Sequence, residues 1–220
     1  MHQERKITNW LKIALVAAIA SVGALVLFGQ SAWAWVPVTS VFNLSPNPPF
    51  IQCLQKGSAA PSAQVTVTQN ELNDDLAILV QNVKPHLGFD LFTIENTNLL
   101  PNGMVDPKFK TFGLAWYQSD IQADDFGNAL TVIRSILVNQ IFGFDAGTTP
   151  PLPPTHTFHV GFWFNKPADA APCGFTGSTP FNGEQNAGPN AMISVPNATT
   201  GLGPLCLNPN TSTHPATCNP

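Results

Sequence analysis

Hydrophobic and polar residues alternate in several short runs along the middle of the chain. In QVTVTQ (residues 64–69), Val65 and Val67 face one side and Thr66 and Thr68 face the other. A period of two is the pattern of a half-buried β-strand. Similar runs, separated by turn-forming residues, occupy 75–83, 88–96, 112–121, 129–137 and 156–165. The pattern therefore predicts a mainly β protein, an antiparallel β-sandwich of immunoglobulin-like or jelly-roll-like type.

The segment 133–144 permits two interpretations. Ile133, Ile136, Ile141 and Phe144 fit helical spacing, whereas the β-branched content favours a strand. Elsewhere the boundaries are clearer. We expect an N-terminal strand and a Pro- and Ser-rich loop over 35–63, the sandwich domain over 64–205, and a C-terminal tail over 206–220.

The first 34 residues have the three parts of a secretory signal. Arg5, Lys6 and Lys12 precede an uncharged apolar run over 13–29, and Ala32 and Ala34 supply the small residues that a signal peptidase requires. We expect residues 1–34 to be removed and the protein to be extracellular or cell-surface associated, without stable membrane insertion. An uncleaved anchor is the alternative, because the apolar run is nearly long enough to span a bilayer.

Charge is scarce in the mature chain. Removal of residues 1–34 leaves six Lys and Arg against twelve Asp and Glu. A chain with so few basic residues cannot neutralise many phosphates, so we expect no nucleic-acid partner.

The chain has an even number of cysteines: Cys53, Cys173, Cys206 and Cys218. Export to an oxidising compartment favours two disulfides, which would staple the long loops, with three pairings open. A structural zinc site is the rival, but the sequence has no C-x-x-C pair.

HTFHVGFWFN (156–165) raises the clearest chemical question. On a strand, His156 shares a face with Phe158, Phe162 and Phe164, and His159 lies on the opposite, outer face. A shared metal would then need a bend in the chain, with Glu184 as the helper that we consider. We expect no required cofactor, although a metal ion at His156, His159 and Glu184 stays open.

Other candidate sites have weaker signals. Asp120, Asp124, Asp125 and Asn128 could hold calcium near one turn, but capping of that turn is the simpler interpretation, because the spacing is not that of an EF-hand. Asp74 with Asp75, and Asp90 with Glu95, are typical of solvated positions. No G-x-S-x-G or H-E-x-x-H motif is present, which favours a non-enzymatic protein.

Aromatic residues suggest a third possibility. Trp116, Tyr117 and Trp163 could stack on sugar rings if they are exposed, whereas tryptophans between sheets usually fill a core.

Four stretches also carry a resemblance: PHLGFDLFTIEN, FGLAWYQSDIQADDFGNA, HTFHVGFWFN and TPFNGEQNAG. Together they resemble a set of secreted bacterial hypothetical proteins of unassigned function, over about residues 64–205. The resemblance implies a secreted bacterial domain and indicates that these stretches form one unit.

The sequence thus favours a structural, adhesive or surface-interaction module. Its partner would be a cell-surface molecule or, by strand addition through WVPVTSVF (35–42), a second copy of the chain. A secreted metal-binding protein or hydrolase near His156, His159 and Glu184 is the alternative, and glycan binding is a further one.

Overall fold

A computed structural model of the 220-residue chain describes residues 37–135, 156 and 158–219. The predicted signal peptide and residues 136–144 of the ambiguous segment lie outside the described residues. Ile133 lies in a strand. Among the described residues, no helix is long and apolar enough to cross a membrane.

Within the described residues, ten strands and two short helices make up the regular structure. The helices are α1 (Ile51–Leu54) and α2 (Pro167–Ala170), and each adjoins a single 3-10 turn, Pro48–Phe50 and Ala171–Cys173 respectively. The strands are β1 (Val38–Pro46), β2 (Ser62–Gln69), β3 (Asp74–Gln81), β4 (Gly88–Ile94), β5 (Ala115–Gln122), β6 (Ala129–Ser135), β7 (His159–Phe164), β8 (Asn190–Ser194), β9 (Pro209–Asn210) and β10 (Thr217–Cys218).

Eight strands form one antiparallel sheet in the order β5-β4-β7-β8-β1-β2-β3-β6. The end strands β5 and β6 contact one another, so that the sheet is nearly barrel-shaped. The prediction of a mainly β, antiparallel fold is therefore confirmed.

Strand β1 belongs to this same sheet. Val38–Leu44 pairs with β2, and Leu44–Pro46 pairs with β8. The segment predicted as a separate N-terminal strand thus lies between two strands of its own domain. Addition of β1 to a neighbouring molecule would require it to leave both partners.

The alternating pattern works well where one face of a strand meets the core. In β2, the buried residues Ala63, Val65 and Val67 alternate with more exposed residues.

The turn between β5 and β6 has the capping that its sequence predicts, because Oδ1 of Asp124 accepts the backbone N–H groups of Phe126 and Asn128. Gly127 has φ +78°, and a Cβ there would overlap the carbonyl of Val83, so that this turn requires glycine.

Both predicted disulfides are present. Cys53 on α1 is bonded to Cys173, and Cys206 is bonded to Cys218 on β10. The first bond joins residues 120 positions apart, and the second closes the C-terminal tail on itself over 12 positions. Four cysteines can form two disulfides in three ways, and the structure has the combination of Cys53–Cys173 with Cys206–Cys218.

The main core lies inside the sheet, and a second, smaller core lies outside it. Val160, Phe162 and Phe164 of β7 point into the main core. Trp163 points the other way, into a cluster that includes Phe112 and Phe181. Every residue of β7 is therefore buried.

The second core corrects two predictions. Trp163 has an exposed fraction of 0% and therefore contacts no glycan, and His159 is only 3% exposed. The prediction that side chains alternate between the two faces of β7 was correct, but the face that was predicted to be exposed is covered by other parts of the protein. Phe181 stacks on Trp163 with ring centroids 4.0 Å apart, and Phe112 meets it edge-on at 4.9 Å.

We predict that Trp163→Ala lowers the free energy of unfolding by about 3–5 kcal/mol, the usual cost of emptying a core site of an aromatic ring. Trp116→Ala is the matched control, because Trp116 is 37% exposed, and we expect a loss of about 1 kcal/mol there. Urea denaturation of the two variants measures both values. Equal losses would contradict the assignment of Trp163 to a core.

Candidate functional site

The structure separates the three predicted metal ligands. His156 and His159 both line a cavity of about 560 Å³, whereas Glu184 lines a different cleft. Among the described residues, no group of three or more His, Cys, Asp or Glu side chains is placed to hold a metal ion. The geometry therefore gives the three-residue metal hypothesis no support.

His159 is held in the sheet by Ser194. Its Nδ1 lies 2.9 Å from Oγ of Ser194, and the same oxygen accepts the backbone N–H of Val160 at 3.1 Å. Burial lowers the pKa of His159 to about 4, and a hydrogen bond to the backbone of Ser194 opposes that shift in part. The imidazole is consequently neutral at physiological pH. Ser194 is itself buried, so this pair is not an accessible nucleophile with its base.

The four calcium candidates have different partners. Asp124 caps the turn, and Oδ1 of Asp125 lies 3.5 Å from Nε2 of His86. Asp120 accepts a hydrogen bond from the hydroxyl of Tyr117 at 2.9 Å. Capping of the turn, the simpler of the two interpretations, is what the structure shows at Asp124.

A cleft of about 1040 Å³ opens on the described surface, and we call it the acidic cleft. Strands β4 and β5 form its floor, and the loop 179–188 forms a wall. Its polar lining includes Asp90, Tyr117, Asp120, Asn165, Asn182 and Glu184. Each of the four stretches on which the resemblance rests contributes to this lining, although they are far apart in sequence.

An irregularity in β5 places two of these side chains together. Tyr117 and Asp120 are three residues apart, so strict alternation would send them to opposite faces. The pairing of β4 with β5 shifts register between Leu91 and Phe92, which face Ser119 and Tyr117 respectively. Gln118 is the extra residue of this bulge. The bulge turns Tyr117 to the side of Asp120, as bulges near binding sites often do.

Hydrogen bonds connect the floor of the cleft to its wall. Asp90 and Asp120 are directly opposite in the register of β4 and β5. Nδ2 of Asn165 donates to both carboxylate oxygens of Asp90, at 3.0 and 3.2 Å. Nδ2 of Asn182 in turn donates to the carbonyl of Asn165 at 3.0 Å.

Asn182 also organises its own loop. Its Oδ1 accepts the backbone N–H groups of Glu184 at 3.2 Å and of Asn186 at 2.7 Å. The same loop places Phe181 on Trp163 in the second core. The wall of the cleft is therefore anchored at both its polar and its apolar side chains.

Asp90 is the unusual acid of the cleft. Burial, with a smaller contribution from the neighbouring Asp120, raises its pKa to about 6 although the hydrogen bond from Asn165 opposes the shift. Desolvation, the bond to Asp120 and the negative charges of Asp120 and Asp90 likewise raise the pKa of Tyr117 to about 12. Tyr117 is therefore a neutral hydroxyl, and Asp90 holds its proton in mild acid.

The cleft is lined by carboxylates, amides and a phenol. Carboxylate and amide oxygens accept hydrogen bonds from hydroxyl groups, and amide nitrogens donate them. The cleft is thus suited to a hydroxyl-rich ligand.

Sequence reasoning identified only part of this site. Tyr117 was proposed for glycan contact, and Asp120 and Glu184 were proposed for metals. Asp90, read as a solvated acid, is 2% exposed, and Asn165 and Asn182 were not singled out. These residues could have been identified as acids or amides within or next to a strand of aromatic residues. Such a strand is expected to be buried, so a solvated residue is not expected there.

Comparison of the chain with protein-family models, curated proteins and solved structures finds no match. The resemblance to secreted bacterial proteins stays a prediction.

We predict that Asp90 titrates near pH 6 and that Asp120→Asn lowers its pKa. The variant removes a repelling charge, but burial, the largest cause, remains, so the pKa of Asp90 should stay above its ordinary value of 3.8. Carbon-13 NMR of the carboxyl groups measures both values. Asp125→Asn, which changes an exposed acid of the turn, is the control and should leave Asp90 unchanged. A wild-type midpoint near 4 would refute the desolvated position of Asp90, and an unchanged midpoint in Asp120→Asn would refute the influence of Asp120.

We also predict that the contribution of His159 to the stability of the fold is lost in mild acid. Its pKa is lower in the folded state than the ordinary 6.5, so its contribution is complete above pH 6.5 and is lost as the pH falls towards 4. The stability advantage of the wild type over His159→Gln should shrink by roughly 3 kcal/mol between pH 7 and pH 4. Urea denaturation at several pH values measures it. A constant difference for His159→Gln would count against the buried neutral ring.

Proposed function

We propose that this protein is a secreted surface-interaction module that binds a neutral carbohydrate in the acidic cleft. The observation that carries the proposal is the convergence of Asp90, Asp120, Asn165 and the exposed ring of Tyr117 on one open cleft. Sugar recognition commonly combines such acceptors and donors with an aromatic surface on which a sugar ring can rest.

The charges of the cleft select among carbohydrates. Asp90, Asp120 and Glu184 line it together with a single cation, Lys166. Uronic acids and other anionic sugars would be repelled by this excess of carboxylates. The ligand is therefore neutral, and the cleft volume of about 1040 Å³ admits more than one sugar ring.

Tyr117 supplies the aromatic surface. It is 54% exposed, and its hydroxyl is held by Asp120, which fixes the orientation of the ring. Trp116, its neighbour on β5, does not line the cleft. Of the three aromatic residues considered from the sequence, Tyr117 is the one that carries this proposal.

The extracellular setting rests on three supports. The first 34 residues have the pattern of a cleaved signal, two disulfides staple the domain, and the sequence resembles secreted bacterial proteins. Disulfides persist in oxidising compartments, so they agree with export. The proposal includes a sandwich-type fold, since the half-sheets β5-β4-β7-β8 and β1-β2-β3-β6 contribute to one main core.

We expect the mature protein to bind neutral oligosaccharides on a glycan array and to bind the best of them in calorimetry. Tyr117→Ala should weaken that binding at least about tenfold, or about 1.4 kcal/mol, because it removes the stacking surface. Phe126→Ala is the matched control, since Phe126 is 72% exposed and does not line the cleft, and its affinity should equal that of the wild type.

Two results would overturn the proposal. One is an array on which the folded protein binds no neutral glycan. The other is binding that Tyr117→Ala and Asn165→Ala both leave intact, because the ligand would then lie elsewhere.

A further inference from the structure

A second depression, which we call the histidine cavity, has about half the volume of the acidic cleft. It measures about 560 Å³ and shares none of its lining residues with the cleft. Its apolar lining includes Leu99, Leu100, Phe158 and Leu202. A depression of this size that combines apolar with polar side chains is typical of a small-molecule site.

One buried polar side chain faces this cavity. His159 lines it while being 3% exposed. Nδ1 of the ring is engaged by Ser194, and Nε2, the other ring nitrogen, has no hydrogen-bond partner within the part of the chain that the structure describes. A ring nitrogen at the wall of a cavity can donate or accept a hydrogen bond there, according to its tautomer.

The cavity wall beside His159 is formed by a glycine, which lets the backbone pass close to the imidazole ring. Gly203 lies against the ring, and a Cβ on it would come within 2.9 Å of Cδ2 of His159 and would overlap the carbonyl of Phe158. The C-terminal residues Ala216–Cys218 close another side, and the bond of Cys218 to Cys206 holds them there.

The remaining polar groups of the lining disfavour an anion. Glu95 accepts the N–H of Leu114 at 2.9 Å, and Asp106 accepts the N–H of Lys108 at 2.8 Å. Both carboxylates line the cavity, so a negatively charged ligand would be repelled. The imidazole of His159 offers no compensating positive charge, since the ring is neutral.

We propose that the histidine cavity binds an uncharged small molecule with an apolar ring system and one hydroxyl group, which hydrogen-bonds to Nε2 of His159. A hydroxyl both donates and accepts, so it fits Nε2 whichever ring nitrogen carries the proton. This site goes beyond the proposed carbohydrate binding and does not depend on it.

Three probes of similar size test the proposal by calorimetry. We expect 1-naphthol to bind, naphthalene to bind at least about tenfold more weakly because it lacks the hydroxyl, and 1-naphthoate not to bind because it is an anion. Equal affinities for 1-naphthol and naphthalene, or no binding of 1-naphthol, would refute the proposal.

A matched pair of variants locates the site. Thr217→Trp places a large side chain on the wall of the cavity and should weaken 1-naphthol at least about tenfold. Thr211→Trp is the control, because Thr211 is exposed on the same C-terminal hairpin and does not line the cavity. Binding that Thr217→Trp leaves unchanged would overturn the assignment.

A third variant tests the hydrogen bond itself. In His159→Phe, the affinity for 1-naphthol should fall to that for naphthalene. Since His159 is buried and this variant could fail to fold, nitrogen-15 NMR of the wild type gives a second measurement. Addition of 1-naphthol should shift the Nε2 resonance of His159 and leave that of His86, which does not line the cavity, in place, and an unshifted Nε2 would refute the contact.

Discussion

Burial of both faces of β7 is the constraint on which most of this structure depends. Phe162 and Phe164 fill the main core from one face, so Trp163 must be covered on the other. The segment 96–113 and the loop 179–188 supply that cover through Phe112 and Phe181. The first segment also lines the histidine cavity, and the second forms the wall of the acidic cleft. Both candidate sites therefore lie at the margins of the layer that shields Trp163.

The scarcity of charge has a structural counterpart in the cleft. The buried carboxylate of Asp90 is bound by the amide of Asn165, not by a lysine or an arginine. An amide hydrogen bond stabilises a carboxylate less than an opposite charge does, so the proton stays on Asp90 to an unusually high pH. Asp75 on β3 shows the contrast, because its bond to Arg134 lowers its pKa. A charged partner would make Asp90 a structural ion pair, whereas an amide leaves it able to exchange a hydrogen bond with a ligand.

The sequence could predict the features that depend on neighbours along the chain. The alternation in β2 and the turn capped by Asp124 follow from residues within a few positions of each other, and the even number of cysteines indicated disulfides. The acidic cleft could not be predicted in the same way. It depends on the pairing of β4 with both β5 and β7, and on the bulge at Gln118, which reverses the face that strict alternation assigns to Tyr117. The burial of His159 depends on loops that are distant in sequence, and alternation identifies the two faces of a strand without saying what covers them.

Asp90 and His159, both buried and both shifted in pKa, affect stability in opposite directions. The pKa of Asp90 is raised in the folded state, so its contribution is complete below about pH 3.8 and is lost as the pH rises through about 6. The pKa of His159 is lowered, so its contribution is lost as the pH falls from 6.5 towards 4. Across the shared range the two effects largely offset each other. The contribution of His159 to stability therefore grows over the same pH range in which Asp90 loses its proton in the cleft, so the change at the candidate site is compensated within the sheet that supports it.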